Sequence, residues 1–167
     1  MINNKVVKAI YPGTFDPITF GHFDIIRRAA NMFTELVVAV AEDCNKQTLF
    51  SLEERLEIVQ AEVAKIDGNV IVKPFSGLLI HFVHHEKGNV IVRGLRALAD
   101  FEYEFQMFYM NNKMDASIET VFIPATENGH FISSRFVKEL ARLGGDVKSF
   151  VSPTVQEKLL VKLRGNN

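Results

Sequence analysis

Residues 11–22 read Tyr-Pro-Gly-Thr-Phe-Asp-Pro-Ile-Thr-Phe-Gly-His, a stretch whose residue types can handle an anion. Pro12 and Pro17 restrict the path of the loop, and Gly21 lets a ligand approach the start of a following helix. His22 then falls in the first helical turn, beside backbone N–H groups with no intrahelical acceptor and at the positive end of the helix dipole. A histidine there can donate to phosphate oxygens. The same spacing also suits a rigid turn with a capping residue. The chain carries neither a Walker A loop nor a GxGxxG fingerprint.

Three other segments share this character. Lys46 follows an apolar run, where a solvated surface lysine is the competing reading; Cys44 beside it has no cationic partner in sequence and reads as a bystander. Arg93-Gly94-Leu95-Arg96 sits where an apolar strand gives way to a helix. Guanidinium groups are planar, always charged and suited to phosphate, although a salt bridge to Asp100 or Glu104 is the alternative. Gly129-His130-Phe131-Ile132-Ser133-Ser134-Arg135 leads into a further helix. Its hydroxyls and N–H groups suit phosphate, and simple capping by Ser133 is equally consistent with the spacing. His81, His84 and His85 have helical spacing, but only Glu86 adjoins them, so they read as a solvated helix end rather than a metal site.

The elements that must position these residues follow from periodicity. Apolar runs predict strands at 6–11, 36–41, 69–73, 89–93 and 120–123. Helical spacing predicts helices at 21–33, 77–86, 97–113 and 132–143. The capping box Ser51-Leu52-Glu53-Glu54 opens a helix running to about residue 66, and Ser152-Pro153 opens the last one. Continuous apolar strands alternating with helices imply a Rossmann-like, doubly wound α/β fold: a five-stranded parallel sheet with helices on both faces. Ligands in such folds bind beyond the carboxyl ends of the strands, so the segments at 12–20, 42–50, 74–76, 94–96 and 124–131 are where chemistry is expected.

Composition bounds the rest. The chain has 167 residues, 19 Lys plus Arg, 20 Asp plus Glu and a formal net charge of -1, which argues against a general nucleic-acid coat. A single domain over 1–167 is expected. One cysteine allows no internal disulfide and fits a reducing, cytoplasmic setting, and no apolar run is long enough to predict a membrane span.

The motifs together resemble the bacterial phosphopantetheine adenylyltransferase family, within the nucleotidyltransferase superfamily that shares T-x-G-H. Y-P-G-T-F-D-P-I-T-x-G-H, then I-V-R-G-L-R-A-x-x-D-F-E-Y-E, then F-I-S-S occur in family order across 8–163. The second block separates this family from other T-x-G-H proteins. Phe20 stands at the variable place of T-x-G-H, and Ser-Ser-Arg replaces a triple serine of other members.

The resemblance implies transfer of AMP from ATP to 4′-phosphopantetheine, giving dephospho-coenzyme A and pyrophosphate, the penultimate step of coenzyme A synthesis. It implies that Thr14 and Phe15 contact ATP, with Thr14 also near the acceptor phosphate, and that His22 binds the ATP phosphates and stabilises the transition state. Lys46 and Arg93 would hold the acceptor phosphate, and Leu79 would line the pantetheine channel. Gly94, Leu95, Arg96, Glu104 and the seven residues from Gly129 to Arg135 would contribute to the ATP site. Mg²⁺ would accompany ATP. A homohexamer is implied, with coenzyme A a possible feedback ligand. The aromatic and methionine-rich helix at 97–113 cannot turn all its apolar residues to one face, which agrees with burial in the core or between subunits. Rival readings are nucleotidyl transfer to another acceptor such as nicotinamide mononucleotide or glycerol phosphate, a non-catalytic nucleotide-binding regulator, and a structural α/β module. The R-G-L-R…D-F-E-Y-E block speaks against the first. Retention of Thr14, His22, Lys46 and Arg93 speaks against the second, and the third leaves the basic residues at strand ends unexplained.

Overall fold

In the computed structural model the described residues are 6–42, 47–96, 98–126 and 132–165. The chain alternates strand and helix: β1 (Lys8–Gly13), α1 (Phe20–Met32), β2 (Glu35–Ala41), α2 (Leu52–Val63), β3 (Val70–Phe75), α3 (Leu79–His85), β4 (Val90–Leu95), α4 (Leu98–Met114), β5 (Glu119–Pro124), α5 (Ser134–Arg142) and α6 (Pro153–Arg164). The five strands form one sheet in the order β3-β2-β1-β4-β5, and all four pairings are parallel. This is the expected doubly wound α/β architecture.

Strand alternation divides the core in two. Ala9, Tyr11, Leu36, Val38, Val40, Val90 and Val92 point to one face and pack with Ile25, Ile26 and Ala29 of α1, Ile58 and Val59 of α2, and residues of α5 and α6. Ile10, Val37, Ala39 and Ile91 point to the other face, under Ile80 and Val83 of α3. Helix α4 covers the remainder of that second face through the Phe101–Phe122 ring contact. Each buried Val or Ile contributes roughly 1.5–3 kcal/mol, which is why uninterrupted β-branched runs become central parallel strands.

Several boundaries differ from expectation. β1, β3 and β4 extend past the predicted ends because parallel pairing continues: Gly13 still faces Val40, Phe75 faces Ala41, and Leu95 faces Pro124. Gly94 and Leu95 therefore belong to β4 rather than to a loop. Helix α5 starts at Ser134 because Ser133 is its N-cap, its hydroxyl accepting from Phe136 N–H. Lys46, Cys44, Gly129, His130 and Phe131 lie outside the described residues, as does the side chain of Asp100.

One feature of the pairing positions the site. β1 pairs with β2 along its whole length but with β4 only at Ala9↔Val90 and Ile10↔Ile91. Beyond Ile10 the two central strands part. The order of the sheet also reverses between them, so the opening lies at the topological switch point.

Candidate active site

The opening leads into two adjoining cavities. The smaller, about 140 Å³, lies between the ends of β1 and β4 and is lined by Pro12, Gly13, Gly21, Arg93, Gly94 and Glu104, among others. The larger, about 570 Å³, lies over the first loop and the start of α5, against Thr14, Asp16, Ser133, Ser134, Arg135 and Lys138. His22 and Arg96 line both. A residue shared by two cavities stands where two bound groups would meet.

His22 is the third residue of α1 and completes a capping box with Thr19. The Thr19 N–H donates to His22 Nδ1 at 3.1 Å, and the His22 N–H returns to Thr19 Oγ1 at 3.5 Å. Accepting at Nδ1 puts the ring proton on Nε2. Burial, with the nearby Arg96 guanidinium adding to it, lowers the His22 pKa to about 4. At neutral pH the residue is thus an uncharged Nε2–H donor of fixed orientation. The Phe15 ring abuts it edge-on at 5.1 Å between centroids and abuts Tyr11 at 5.7 Å.

That packing has a backbone requirement. Phe15 is 1 % exposed and adopts φ +50, the left-handed region that a non-glycine residue enters at a cost. A Cβ on Gly13 would fall 2.8 Å from the Phe15 ring, so glycine is needed there. A ring so buried supports His22 and leaves little side-chain surface for a ligand. Gly94 has a similar role on the far wall, where an added Cβ would meet Ile25 of α1 at 3.1 Å.

The arginine of β4 forms the salt bridge that its sequence allowed and also faces a cavity. Arg93 Nε donates to Glu104 of α4, and both residues still line the smaller cavity. Arg96 Nη1 reaches the Ile132 carbonyl at 3.4 Å, linking β4 to the approach to α5. Ser133 caps α5, as its spacing allowed, and Ser134 Oγ donates to the Pro17 carbonyl at 2.7 Å, tying α5 to the first loop. Thr14, Phe15, His22, Arg93, Gly94, Arg96, Glu104, Ile132, Ser133, Ser134 and Arg135 all line one or both cavities. Leu79 and Leu95 line neither: Leu79 packs against the core beneath α3, and Leu95 is a paired strand residue.

Sequence reasoning missed three residues. The buried carboxylate of Asp16 accepts from the N–H groups of Leu49 and Phe50 at 2.9 Å each and is paired with Lys138. Arg55 of α2, 3 % exposed, donates through Nη1 to the carbonyls of Thr14 at 2.8 Å and Ala41 at 2.7 Å. It thereby clamps the end of β2 to the first loop. Asp16 stands inside the quoted first motif, and Lys138 lies one turn beyond Ser134 on α5. Their helical and motif placement was a usable signal. Arg55 offered none, since a charged residue after a capping box reads as solvated surface.

Two of the three histidines of α3 lie beside carboxylates. His84 Nε2 contacts Asp115 at 2.9 Å and His85 Nδ1 lies 3.4 Å from Glu86. Among the described residues no group of three or more His, Cys, Asp or Glu is gathered around a common point. No described helix is long and apolar enough to cross a membrane.

Comparison with known proteins agrees with this architecture. The family model described as cytidylyltransferase-like matches residues 10–140. A phosphopantetheine adenylyltransferase of Wolbachia pipientis subsp. Culex pipiens is 53 % identical over 161 residues, covering 95 % of this chain and 94 % of that protein. One from Paracoccus denitrificans is 55 % identical over 155 residues, covering 90 % and 94 %. Among solved structures, a nicotinic acid mononucleotide adenylyltransferase of Plasmodium falciparum complexed with NaAD superposes with TM-score 0.71 over 98 % of this chain and 97 % of that one. Its 16 % identity speaks to the fold alone. With a parting of β1 and β4 flanked by His22, Arg93 and Arg96, and with half of its residues shared with these relatives along nearly its full length, this chain belongs to the phosphopantetheine adenylyltransferase family, within the cytidylyltransferase-like proteins.

Proposed function

We propose that the protein transfers AMP from ATP to 4′-phosphopantetheine, forming dephospho-coenzyme A and pyrophosphate, the penultimate step of coenzyme A synthesis. The observation that carries the reading is 53 % identity over 95 % of the chain to a relative of that name. The arrangement of the site supports it: a neutral histidine donor stands where two cationic cavities meet.

The acceptor phosphate is already an anionic nucleophile, so the chain need supply no general base. Its task is positioning and charge stabilisation. Arg93, with Lys46, holds the acceptor phosphate; Glu104 on Arg93 Nε orients the guanidinium fork toward it. Thr14, held through its carbonyl by Arg55, stands between donor and acceptor. His22 donates Nε2–H to the α-phosphate oxygens as charge moves there, and Phe15 keeps the imidazole in place. Gly94, Leu95, Arg96, Glu104 and the 129–135 segment form the remaining ATP site, with Arg135 and Arg96 facing the phosphates. Leu79 belongs to the pantetheine channel.

Magnesium fits this site as a passenger on ATP, since the described residues gather no carboxylate cage. Carried in on ATP, it would supply positive charge to offset that of the pyrophosphate. Phe101, Tyr103, Phe105, Tyr109, Met110 and Met114 are exposed apolar or aromatic side chains on more than one side of α4, which supports assembly, and we assign a homohexamer working in the cytoplasm with coenzyme A as a feedback ligand. Light scattering at micromolar concentration giving a monomer would count against assembly.

Pyrophosphate release from ATP, compared between 4′-phosphopantetheine and nicotinamide mononucleotide, tests the reaction. Release with the first alone is expected. Release only with the second overturns the acceptor.

A further inference from the structure

Asp16 is a buried carboxylate in the wall of a cavity that, on the reading above, receives a polyphosphate. A bare negative charge there would repel the ligand. It is instead fully engaged: Oδ1 accepts from Leu49 and Phe50 N–H at 3.1 and 2.9 Å, and Oδ2 accepts from Leu49 N–H at 2.9 Å and pairs with the Lys138 ammonium. Three separate segments converge on this group. The first loop brings Asp16 itself next to Thr14 and Phe15. The segment after β2 brings Leu49 and Phe50, directly after the cavity-lining Gln47 and Thr48. Helix α5 brings Lys138, one turn beyond Ser134.

We propose that Asp16 is a positioning residue for the ATP phosphates: its carboxylate sets where Lys138 and the segment at 47–50 stand, and so fixes the width and the cation placement of the larger cavity. The Asp16–Lys138 pair is neutral as a unit, so it contributes geometry rather than field. A buried ion pair with filled acceptors is a poor source of stability compared with apolar residues of the same volume, but it specifies one arrangement of its partners. The proposal rests on the assignment of ATP as the donor.

The sign of the effect separates positioning from electrostatics. Asp16→Asn keeps the size and an oxygen acceptor for the backbone N–H groups but leaves the cavity one charge more positive. Lys138→Gln leaves it one charge more negative. If field alone mattered, the two changes would move ATP affinity in opposite directions. Positioning makes both weaken it, each by about tenfold, while the KM for the acceptor moves less than about twofold. Lys138→Arg, which keeps a cation on Asp16, should restore most of the affinity.

The experiment is isothermal titration of each purified full-length variant with ATP, alongside the two KM values and a melting curve. Because ATP binding is read without acceptor, an error in the acceptor leaves this readout intact, and failure of the wild type to bind ATP identifies failure of the underlying reading. Tighter or unchanged ATP binding by Asp16→Asn overturns the proposal, as does an equal loss for both substrates. Should Asp16→Asn fail to fold, the double variant Asp16→Asn/Lys138→Gln, which removes the pair at unchanged net charge, carries the comparison: a loss of ATP affinity supports positioning, and wild-type affinity overturns it.

Discussion

The two ends of the sheet use the same side chains to opposite effect. At the amino end Lys8 reaches Glu35 at 2.6 Å and Glu86 at 3.3 Å, and Lys73 reaches Glu86 at 2.8 Å. Two lysines face two glutamates and the charges close on themselves. Burial would push the Glu86 carboxyl up, but the ammonium groups of Lys73 and Lys8 outweigh it and hold the pKa below the usual range. At the carboxyl end, Arg93, Arg96, Arg135 and Lys138 face only Asp16 and Glu104 among the described cavity residues. The cationic surplus there, beside strands that part, is what an anionic ligand can complete. Where charge balances within the chain it ties elements together; where cations outnumber carboxylates along a cavity wall, the wall suits an anion.

The largest expected effect sharpens this contrast at the open end. His22→Ala should cost about 3–4 kcal/mol in the barrier, the scale of one lost transition-state donor, and steady-state pyrophosphate release would show it as a fall in kcat. Normal turnover would remove His22 from the chemistry. The same residue makes the fold acid-sensitive. Its folded pKa is lowered to about 4, so the unfolded chain binds the proton more readily below about pH 6.5. The preference for the neutral form is therefore fully present above that range and is lost as pH falls toward 4, by about 1.4 kcal/mol per unit at most. Chemical denaturation of wild type and His22→Gln across this window should show a steeper acid decline for the wild type.

Lys46→Ala should weaken 4′-phosphopantetheine binding by about 2 kcal/mol, the scale of a hydrogen bond to a charged group. Titration showing unchanged affinity would separate Lys46 from the acceptor.

Glu86→Gln breaks the closed end. It should lower stability by about 1.5–3 kcal/mol while leaving kcat and KM of the folded enzyme unchanged. A kinetic defect without a stability defect would erase the distinction between the ends. The paired carboxylate stabilises above its unfolded pKa, so the difference between wild type and variant should vanish as pH falls below that range.

Much of this was legible from residues alone because it depends on local patterns. Apolar runs such as that of β2 must be buried on both sides, which dictates a parallel sheet. Ser51-Leu52-Glu53-Glu54 and Ser152-Pro153 announced their helices by capping, and both caps are present. The strand-end rule then gathered Thr14, His22, Arg93, Arg96 and Ser133 to Arg135 on one edge, where they line two cavities. Leu79 lies apart from those cavities, on α3 against the second core layer.

Partners distant in sequence decided the rest. Asp16 meets Lys138 across 122 positions, and Arg55 meets Thr14 across 41. No local pattern encodes such a pairing, since a charged side chain in isolation reads as solvated. The protonation state of His22 is also a tertiary product, set by burial and by Arg96 just past the end of β4. The sequence by itself determined the elements, the parallel α/β order and the edge at which the cavities open, because periodicity and capping act within a few residues. Only the tertiary structure decided which charges neutralise one another, which stay in surplus, and whether His22 is charged, because those depend on the dielectric and the neighbours that folding alone supplies.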